Sequence, residues 1–193
     1  MTDRKQQILQ NCCELIAAEG YVAFTMRAVA RASGLKLGAL QYHYRTRDAL
    51  VAALAEFIGT RYRDHFTRFC ADRPPDSLGL YALLDFMAEE TVTTSLRADR
   101  LFPQLWAMAM VEPAMRVAMD GLYEQYLTFI EDWLIQQGAS NPRGDALAIL
   151  SMLEGLTLFV DSGRRWEAHA EATLEAIHAM LHARYGASPG RVR

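Results

Sequence analysis

Apolar residues recur along the chain every three to four positions, the period of an α-helix, and no segment alternates in the way that β-strands do. In the first segment Ile8, Cys12, Leu15 and Ile16 form one stripe. Gly20 follows at the position where a helix commonly ends. The same pattern continues to the C-terminal region, so the sequence predicts an all-α fold of about nine helices.

The ends of these helices are indicated by capping residues and prolines. Thr25, Thr46 and Asn141 are good N-caps, and Pro103 and Pro113 are expected to interrupt the helical pattern. The predicted helices cover residues 3–19, 26–33, 36–44, 47–70, 77–96, 100–111, 113–137, 142–162 and 166–185.

Charge is distributed unevenly along the 193 residues, whose net charge is -3. Residues 1–50 contain seven Lys and Arg against four acids, a balance of +3. The remaining residues contain thirteen basic and nineteen acidic side chains, a balance of -6. A basic N-terminal segment joined to an acidic body is typical of a polyanion-binding module fused to a second function.

The segment 24–50 predicts two short helices that meet at a glycine-containing turn and are braced by a preceding helix, which is a helix-turn-helix. Its apolar positions are expected to point inward: Val29, Ala30, Leu35, Leu40 and Tyr44. That arrangement leaves the other face of the second helix outward: Lys36, Leu37, Gly38, Gln41 and Tyr42. Gly38 and Ala39 provide a small surface on which backbone can approach a DNA groove.

This segment resembles the DNA-binding region of the tetracycline-repressor (TetR) family of bacterial transcriptional regulators. The resemblance covers about fifty residues and depends on these positions: Thr25, Arg27, Val29, Ala30, Ser33, Gly34, Leu35, Gly38, Leu40, Gln41, His43, Tyr44, Thr46, Arg47 and Leu50. Three positions depart from the family pattern. Lys36 stands where Ser is frequent, Gln41 where Tyr is common, and Arg47 where Lys is common.

The resemblance implies a DNA-binding domain over residues 1–46 and an effector-binding and dimerisation domain over 47–193. The residues implied to contact DNA are Thr25, Arg27, Lys36, Leu37, Gly38, Gln41, Tyr42, His43 and Arg47. Gln41 would lie against bases, where an amide suits adenine. Arg47 and Thr25, at helix N-termini, would hold phosphate.

The body is rich in aromatic and Met side chains between residues 84 and 133. Two interpretations stay open, a well-filled core and a pocket for a small apolar or amphipathic effector. The candidate pocket residues are Phe86, Phe102, Trp106, Met110, Tyr123, Tyr126 and Phe129.

The last two predicted helices carry apolar residues on more than one face, which indicates more than one packing partner. In the family that the chain resembles, these helices form a homodimer. The resemblance therefore implies a dimeric repressor that leaves a palindromic, double-stranded operator when an effector binds. A constitutive or architectural DNA-binding protein without an effector is the alternative.

Other chemistry is weakly indicated. Cys12, Cys13 and Cys70 make no disulfide framework, and oxidant sensing by the adjacent pair is less expected than burial. His178 and His182 have metal-ligand spacing but lack a third ligand, so no metal or cofactor is expected.

No catalytic motif is present, so the chain is not predicted to be an enzyme. No leader or membrane span is indicated, so a cytoplasmic location is expected.

Overall fold

The structure, a computed structural model, describes residues 3–74, 82, 83, 86, 98–160 and 163–186. Its regular elements over these ranges are helices, with no strand among them, so the predicted all-α class is confirmed. The α-helices are α1 (Asp3–Glu19), α2 (Met26–Ala32), α3 (Leu37–His43), α4 (Arg47–Ala71), α5 (Ala98–Ala109), α6 (Pro113–Gln136), α7 (Pro142–Phe159) and α8 (Ala170–Tyr185). Two 3₁₀ helices cover Tyr21–Ala23 and Glu167–His169.

Side-chain caps begin three of the helices where the sequence predicts them. In each case the side-chain oxygen accepts a hydrogen bond from the backbone N–H three residues later, which satisfies a donor that the helix itself leaves unpaired. The pairs are Thr25 with Ala28 at 3.2 Å, Thr46 with Ala49 at 3.1 Å and Asn141 with Gly144 at 3.3 Å. Gly20, with φ of 82°, ends α1 as predicted.

One predicted helix boundary and one predicted interruption are wrong. The last helix begins at Ala170 rather than at residue 166, because Trp166 precedes a 3₁₀ turn in which the Glu167 carboxylate accepts a hydrogen bond from Gly163 N–H. Pro103 lies inside α5 and does not interrupt it. The helix starts at residue 98 and loses only the one backbone hydrogen bond that proline cannot donate.

The predicted helix 77–96 lies almost entirely outside the described residues. Within it the structure describes Ala82, Leu83 and Phe86, which are helical. The prediction that α7 continues to residue 162 also reaches beyond the described residues, because α7 ends at Phe159 and residues 161–162 are not described.

The chain divides into two compact units, whose boundaries fall within α4 and α6. The first unit comprises residues 1–63 and 94–122. In it α1 packs against α2 and against α5, and the buried side chains of its core include Ile8, Leu9, Ile16, Val29, Leu40, Leu50, Leu54 and Leu105. The second unit comprises residues 64–93 and 123–193. Its core includes Phe66, Tyr126, Ile130, Leu134, Ile149, Leu153, Ile177 and Leu181.

Candidate nucleic-acid interface

The turn between α2 and α3 is closed by backbone hydrogen bonds. Leu35 N–H donates to the Ala30 carbonyl at 2.8 Å, and Gly34 N–H donates to the Arg31 carbonyl at 3.1 Å. Gly34 has φ of 63°, a left-handed conformation that residues with a Cβ adopt at a cost. The turn therefore fixes the direction in which α3 leaves α2, as a helix-turn-helix requires.

The inner side of this motif is apolar. Val29, Ala30, Leu40 and Tyr44 are buried, and Leu35 is half-buried. Burial raises the pKa of Tyr44 to about 12, so this ring stays neutral in the core. These side chains hold α3 against the rest of the first unit and determine which of its faces points outward.

The outer side presents the residues that the sequence assigns to DNA. Lys36, Gly38, Gln41 and Tyr42 are exposed, and the Tyr42 side chain is 87% accessible. Leu37 and His43 are half-buried, and the His43 ring packs edge-on against Tyr42 with centroids 5.5 Å apart. A short, exposed helix face with an amide, a phenol and a lysine has the size and chemistry to enter a major groove.

Basic groups surround this face within the first unit. Arg27 and Arg31 on α2, Lys36 before α3 and Arg45 after it are all exposed. Thr25 lies at the N-terminus of α2, exposed, with its hydroxyl oxygen engaged as the cap. Exposed basic side chains of this kind can attract a phosphate backbone.

Arg47, the remaining predicted phosphate ligand, is already paired within the chain. Its Nη1 lies 2.6 Å from Glu112 Oε1, and its Nη2 donates to the Tyr21 hydroxyl at 2.9 Å. The Tyr21 hydroxyl donates in turn to the same Glu112 oxygen, and Tyr21 N–H donates to Gln104 Oε1 at 2.9 Å. We call Tyr21, Arg47, Gln104 and Glu112 the polar node.

The sequence gives no indication of the polar node, because its members are far apart along the chain and no spacing pattern links Arg47 to the other three. Arg4 is a second residue that the sequence analysis missed. Its Nη2 donates to the Ser33 carbonyl at 2.9 Å and so supports the α2–α3 turn from α1.

The electrostatics of the polar node follow from its hydrogen bonds. Burial raises the pKa of Glu112, but the hydrogen bonds from Tyr21 and Arg47 and the charge of Arg47 outweigh burial and hold this pKa below its usual value. For Tyr21, burial and the bond to Glu112 raise the pKa. The node therefore contains an ionised carboxylate, a neutral phenol and a guanidinium at neutral pH.

Comparison with known proteins places this geometry in a family. The family model described as bacterial regulatory proteins of the tetR family matches residues 8–54, which run from within α1 into α4. A helix-turn-helix transcriptional regulator from the dhlA 5′ region of Xanthobacter autotrophicus is 31% identical over 111 residues, or 55% of this chain and 53% of that protein. The segment that contains α2 and α3 is therefore similar to the bacterial regulatory proteins of the tetR family.

Solved structures extend the likeness of the regulator's fold over nearly the whole chain. A transcriptional regulator from Rhodococcus sp. Rha1 superposes with a TM-score of 0.77 at 18% identity, covering 96% of this chain and 99% of that one. A Saccharomonospora viridis structure, titled as a regulator in complex with choline, has a TM-score of 0.70 at 18% identity, with 94% and 97% covered. The curated relatives are matched over a shorter part, between 53% and 63% of their own length in the first matches.

The predicted effector residues of the regulator divide between the two units. In the first unit Phe102 packs edge-on against Tyr62 at 5.0 Å and against Trp106 at 6.1 Å between ring centroids. Met110 follows the end of α5 and is 77% exposed. A side chain so accessible forms no wall of an enclosed cavity, so Met110 is removed from the candidate pocket residues.

In the second unit Phe86, Tyr126 and Phe129 surround Phe66. Their ring centroids lie 5.8, 5.0 and 5.6 Å from that of Phe66. Phe86 also packs on Phe69 at 4.4 Å, whereas Tyr123 is half-buried on α6. We call Phe66, Phe69, Phe86, Tyr126 and Phe129 the aromatic cluster.

A side-chain amide of α6 is buried in the same unit. The side-chain oxygen of Gln125 is enclosed and accepts no hydrogen bond from the residues that the structure describes. Buried amide oxygens usually have a donor, so this atom offers an acceptor to a molecule that enters the unit.

Burial disfavours the thiolate form of all three cysteines. Cys12 and Cys13 are buried in α1, and burial raises the pKa of the Cys13 thiol to about 12 and that of Cys12 further. Burial also raises the pKa of Cys70. Thiolates carry the reactivity of cysteine, so these side chains act as apolar packing groups.

Within residues 3–74, 82, 83, 86, 98–160 and 163–186 there is no group of three or more His, Cys, Asp or Glu side chains placed to hold a metal ion. None of the helices in these ranges is long and apolar enough to span a membrane.

Proposed function

We propose that this regulator is a cytoplasmic, homodimeric repressor that reads a palindromic DNA operator with α3 and leaves it when a small apolar or amphipathic molecule binds its body. The observation that carries the DNA-binding part is the exposed face of α3, with Gln41 and Tyr42 outward and Leu40 buried behind them. The functional boundary in this proposal lies at residue 46, with the reading domain before it and the effector and dimerisation domain after it.

Direct base reading falls to Gln41, because its side-chain amide N–H can donate to adenine N7 while its Oε1 accepts from the adenine N6 amino group, as a bidentate pair. Gly38 allows the helix backbone to approach the groove, and Leu37 is placed to contact thymine methyl groups. Phosphate binding falls to Arg27, Lys36, Tyr42 and His43 together with Thr25 at the start of α2. Arg47 joins them only when it leaves the polar node.

A homodimer is supported by apolar side chains left accessible on the last two helices of the second unit. Leu147, Leu158 and Phe159 on α7 and Met180 on α8 are each about half exposed or more, between 48% and 56%. Large apolar side chains left accessible on the last two helices favour a contact with another protein surface. A two-fold dimer also gives two copies of α3 the spacing of palindromic half-sites.

Effector binding is supported by the aromatic cluster and by the buried oxygen of Gln125, both in the second unit. Aromatic faces bind apolar molecules, and they also attract organic cations such as quaternary ammonium groups. The choline in the Saccharomonospora viridis structure makes small ammonium compounds reasonable first members of a screen.

The close ring spacings favour a second candidate, a constitutive DNA-binding regulator whose aromatic cluster is filled core. Thermal unfolding in the presence of choline and of a panel of small aromatic molecules discriminates between the two. A ligand that raises Tm and lowers DNA affinity supports the repressor, because it binds the folded protein and shifts it away from the DNA-bound state. A panel without any such compound supports the constitutive regulator.

The DNA-binding proposal is tested by selection from a pool of random duplexes. The purified chain is expected to enrich one palindromic sequence, bound with one dimer. A control with Gln41, Tyr42 and Lys36 replaced by Ala is expected to enrich nothing. Wild-type enrichment without any shared sequence would contradict specific recognition by α3.

A further inference from the structure

Within the polar node, Glu112 and Tyr21 bind the guanidinium of Arg47, a group that a DNA phosphate would also bind. Arg47 is the first residue of α4 and comes four residues after His43, the last residue of α3. Its side chain is 37% exposed, so one side of it faces solvent, while both of its terminal nitrogens are engaged with Glu112 and Tyr21. A carboxylate and a phosphate bind guanidinium through the same fork of N–H donors, so they compete for it.

Glu112 is held in place by the backbone around it. Its N–H donates to the Met108 carbonyl, which closes the end of α5, and its carbonyl accepts from Arg116 N–H, which opens α6. Its side chain is only 15% exposed. The backbone of Glu112 is therefore held within the α5–α6 junction, so a movement of that junction also moves the carboxylate.

Two aromatic rings also hold the Arg47 side chain in place. Its guanidinium lies 5.8 Å from the ring centroids of both Tyr21, the first residue of the 3₁₀ turn before α2, and Phe24, which follows that turn. Gln104 Oε1 on α5 accepts a hydrogen bond from Tyr21 N–H. The 3₁₀ turn is therefore bonded to α5, the helix that ends at the α5–α6 junction. Three separate parts of the first unit thus meet at one charge pair: the turn before α2, the start of α4 and the α5–α6 junction.

We propose that Glu112 competes with DNA phosphate for Arg47, so that the α5–α6 junction determines how many phosphates the regulator binds. In one state Glu112 holds Arg47 and DNA affinity is low. In the other state the junction withdraws Glu112, and Arg47 binds a phosphate. An effector that stabilises the first state releases the regulator from DNA. This inference rests on the proposed function, and it assigns the regulation of DNA affinity to a specific contact.

The experiment measures binding of a 30-base-pair duplex of scrambled sequence by fluorescence anisotropy between 50 and 300 mM NaCl. Glu112→Gln keeps the shape of the side chain and removes its charge. One additional phosphate contact per chain steepens the dependence of log K on log salt by about 0.9. At 100 mM NaCl that corresponds to an affinity gain of up to about eightfold per chain.

Two further variants and one control complete the design. Tyr21→Phe removes the hydroxyl that bonds both charged groups, so it is expected to shift binding in the same direction by a smaller factor. It keeps the test available if Glu112→Gln fails to fold. Glu112→Gln combined with Arg47→Gln is expected to lose the gain. Glu124→Gln, which makes the same change of charge at an exposed pair with Arg143 in the other unit, controls for net charge.

The possible results distinguish a failure of the Glu112 competition from a failure of the proposed DNA-binding function. A gain in affinity and salt slope for Glu112→Gln, absent from the double variant and from Glu124→Gln, supports competition. Unchanged binding by Glu112→Gln overturns the competition and leaves the DNA-binding function standing. Weaker binding with a shallower salt slope does the same, because it would mean that Glu112 positions Arg47 for DNA. A wild-type chain that binds no duplex at 50 mM NaCl overturns both.

Discussion

The Nη2 atom of Arg4, in the first turn of α1, donates a hydrogen bond of 2.9 Å to the backbone carbonyl oxygen of Ser33, where α2 ends. Carbonyl groups in the last turn of a helix lack a partner within that helix, and a basic side chain there satisfies one of them. A residue before the helix-turn-helix therefore stabilises the turn between its two helices.

Replacing Arg4 by Ala is expected to lower the free energy of unfolding by about 1 kcal/mol, the usual value of one hydrogen bond. Urea denaturation followed by circular dichroism measures this change. Arg31→Ala is the matched control, since it removes the same charge from an exposed side chain in the last turn of α2. Equal losses in the two variants would mean that the contact with Ser33 contributes nothing.

The Glu112–Arg47 pair makes stability depend on pH. The pKa of Glu112 is lower in the folded chain than its ordinary value, so the unfolded chain binds the proton more tightly. The stabilisation is therefore complete above the ordinary carboxyl pKa, about 4.3, and is lost as pH falls towards the lower folded value.

Glu112→Gln is expected to cost about 1 kcal/mol at pH 7, since solvent partly screens the pair. The difference from wild type is expected to shrink as the pH falls below the ordinary carboxyl pKa, about 4.3, towards the lower folded value. Urea denaturation at stepped pH checks both points. Glu124→Gln, at an exposed pair, is expected to change stability less at every pH because solvent screens it more. A difference that grows as the solution is acidified would contradict the assigned role of Glu112.

A charge in the proposed dimer contact is expected to separate the protomers. Phe159→Asp and Met180→Asp each place a carboxylate on an apolar surface that a second chain would bury without a partner. Sedimentation equilibrium is expected to show dimer dissociation at least tenfold more favourable than in wild type. Val117→Asp alters an exposed apolar residue of the first unit and is expected to leave the dimer intact. Dissociation caused only by Val117→Asp would locate the interface elsewhere.

Local sequence rules account for most of the helical boundaries. The helix ends at Gly20 and the starts after Thr25, Thr46 and Asn141 depend on residues within one turn of the boundary, and the structure confirms them. The start of α8 was not predictable in this way. Trp166 continues the apolar pattern, but the chain there forms a 3₁₀ turn with a hydrogen bond from Gly163 to Glu167.

Contacts between distant parts of the chain could not be predicted from the sequence. The pairing of Arg47 with Glu112 depends on where α5 ends, and neither residue belongs to a pattern that indicates the other. Helical period likewise could not tell a buried Met from an exposed one near a helix end, as Met110 illustrates. By contrast, the outward face of α3 was predictable, because burial of Leu40 and Tyr44 leaves Gln41 and Tyr42 outside.

The most direct test of DNA reading by α3 compares wild type with Gln41→Ala on the selected operator and on every single-base-pair substitution of it. Wild type is expected to lose about 1–3 kcal/mol when one A·T pair in each half-site is replaced, and Gln41→Ala is expected to show no preference at that pair while keeping its preferences elsewhere. An equal loss of affinity by Gln41→Ala on every duplex, or an unchanged preference at all positions, would contradict base recognition by Gln41.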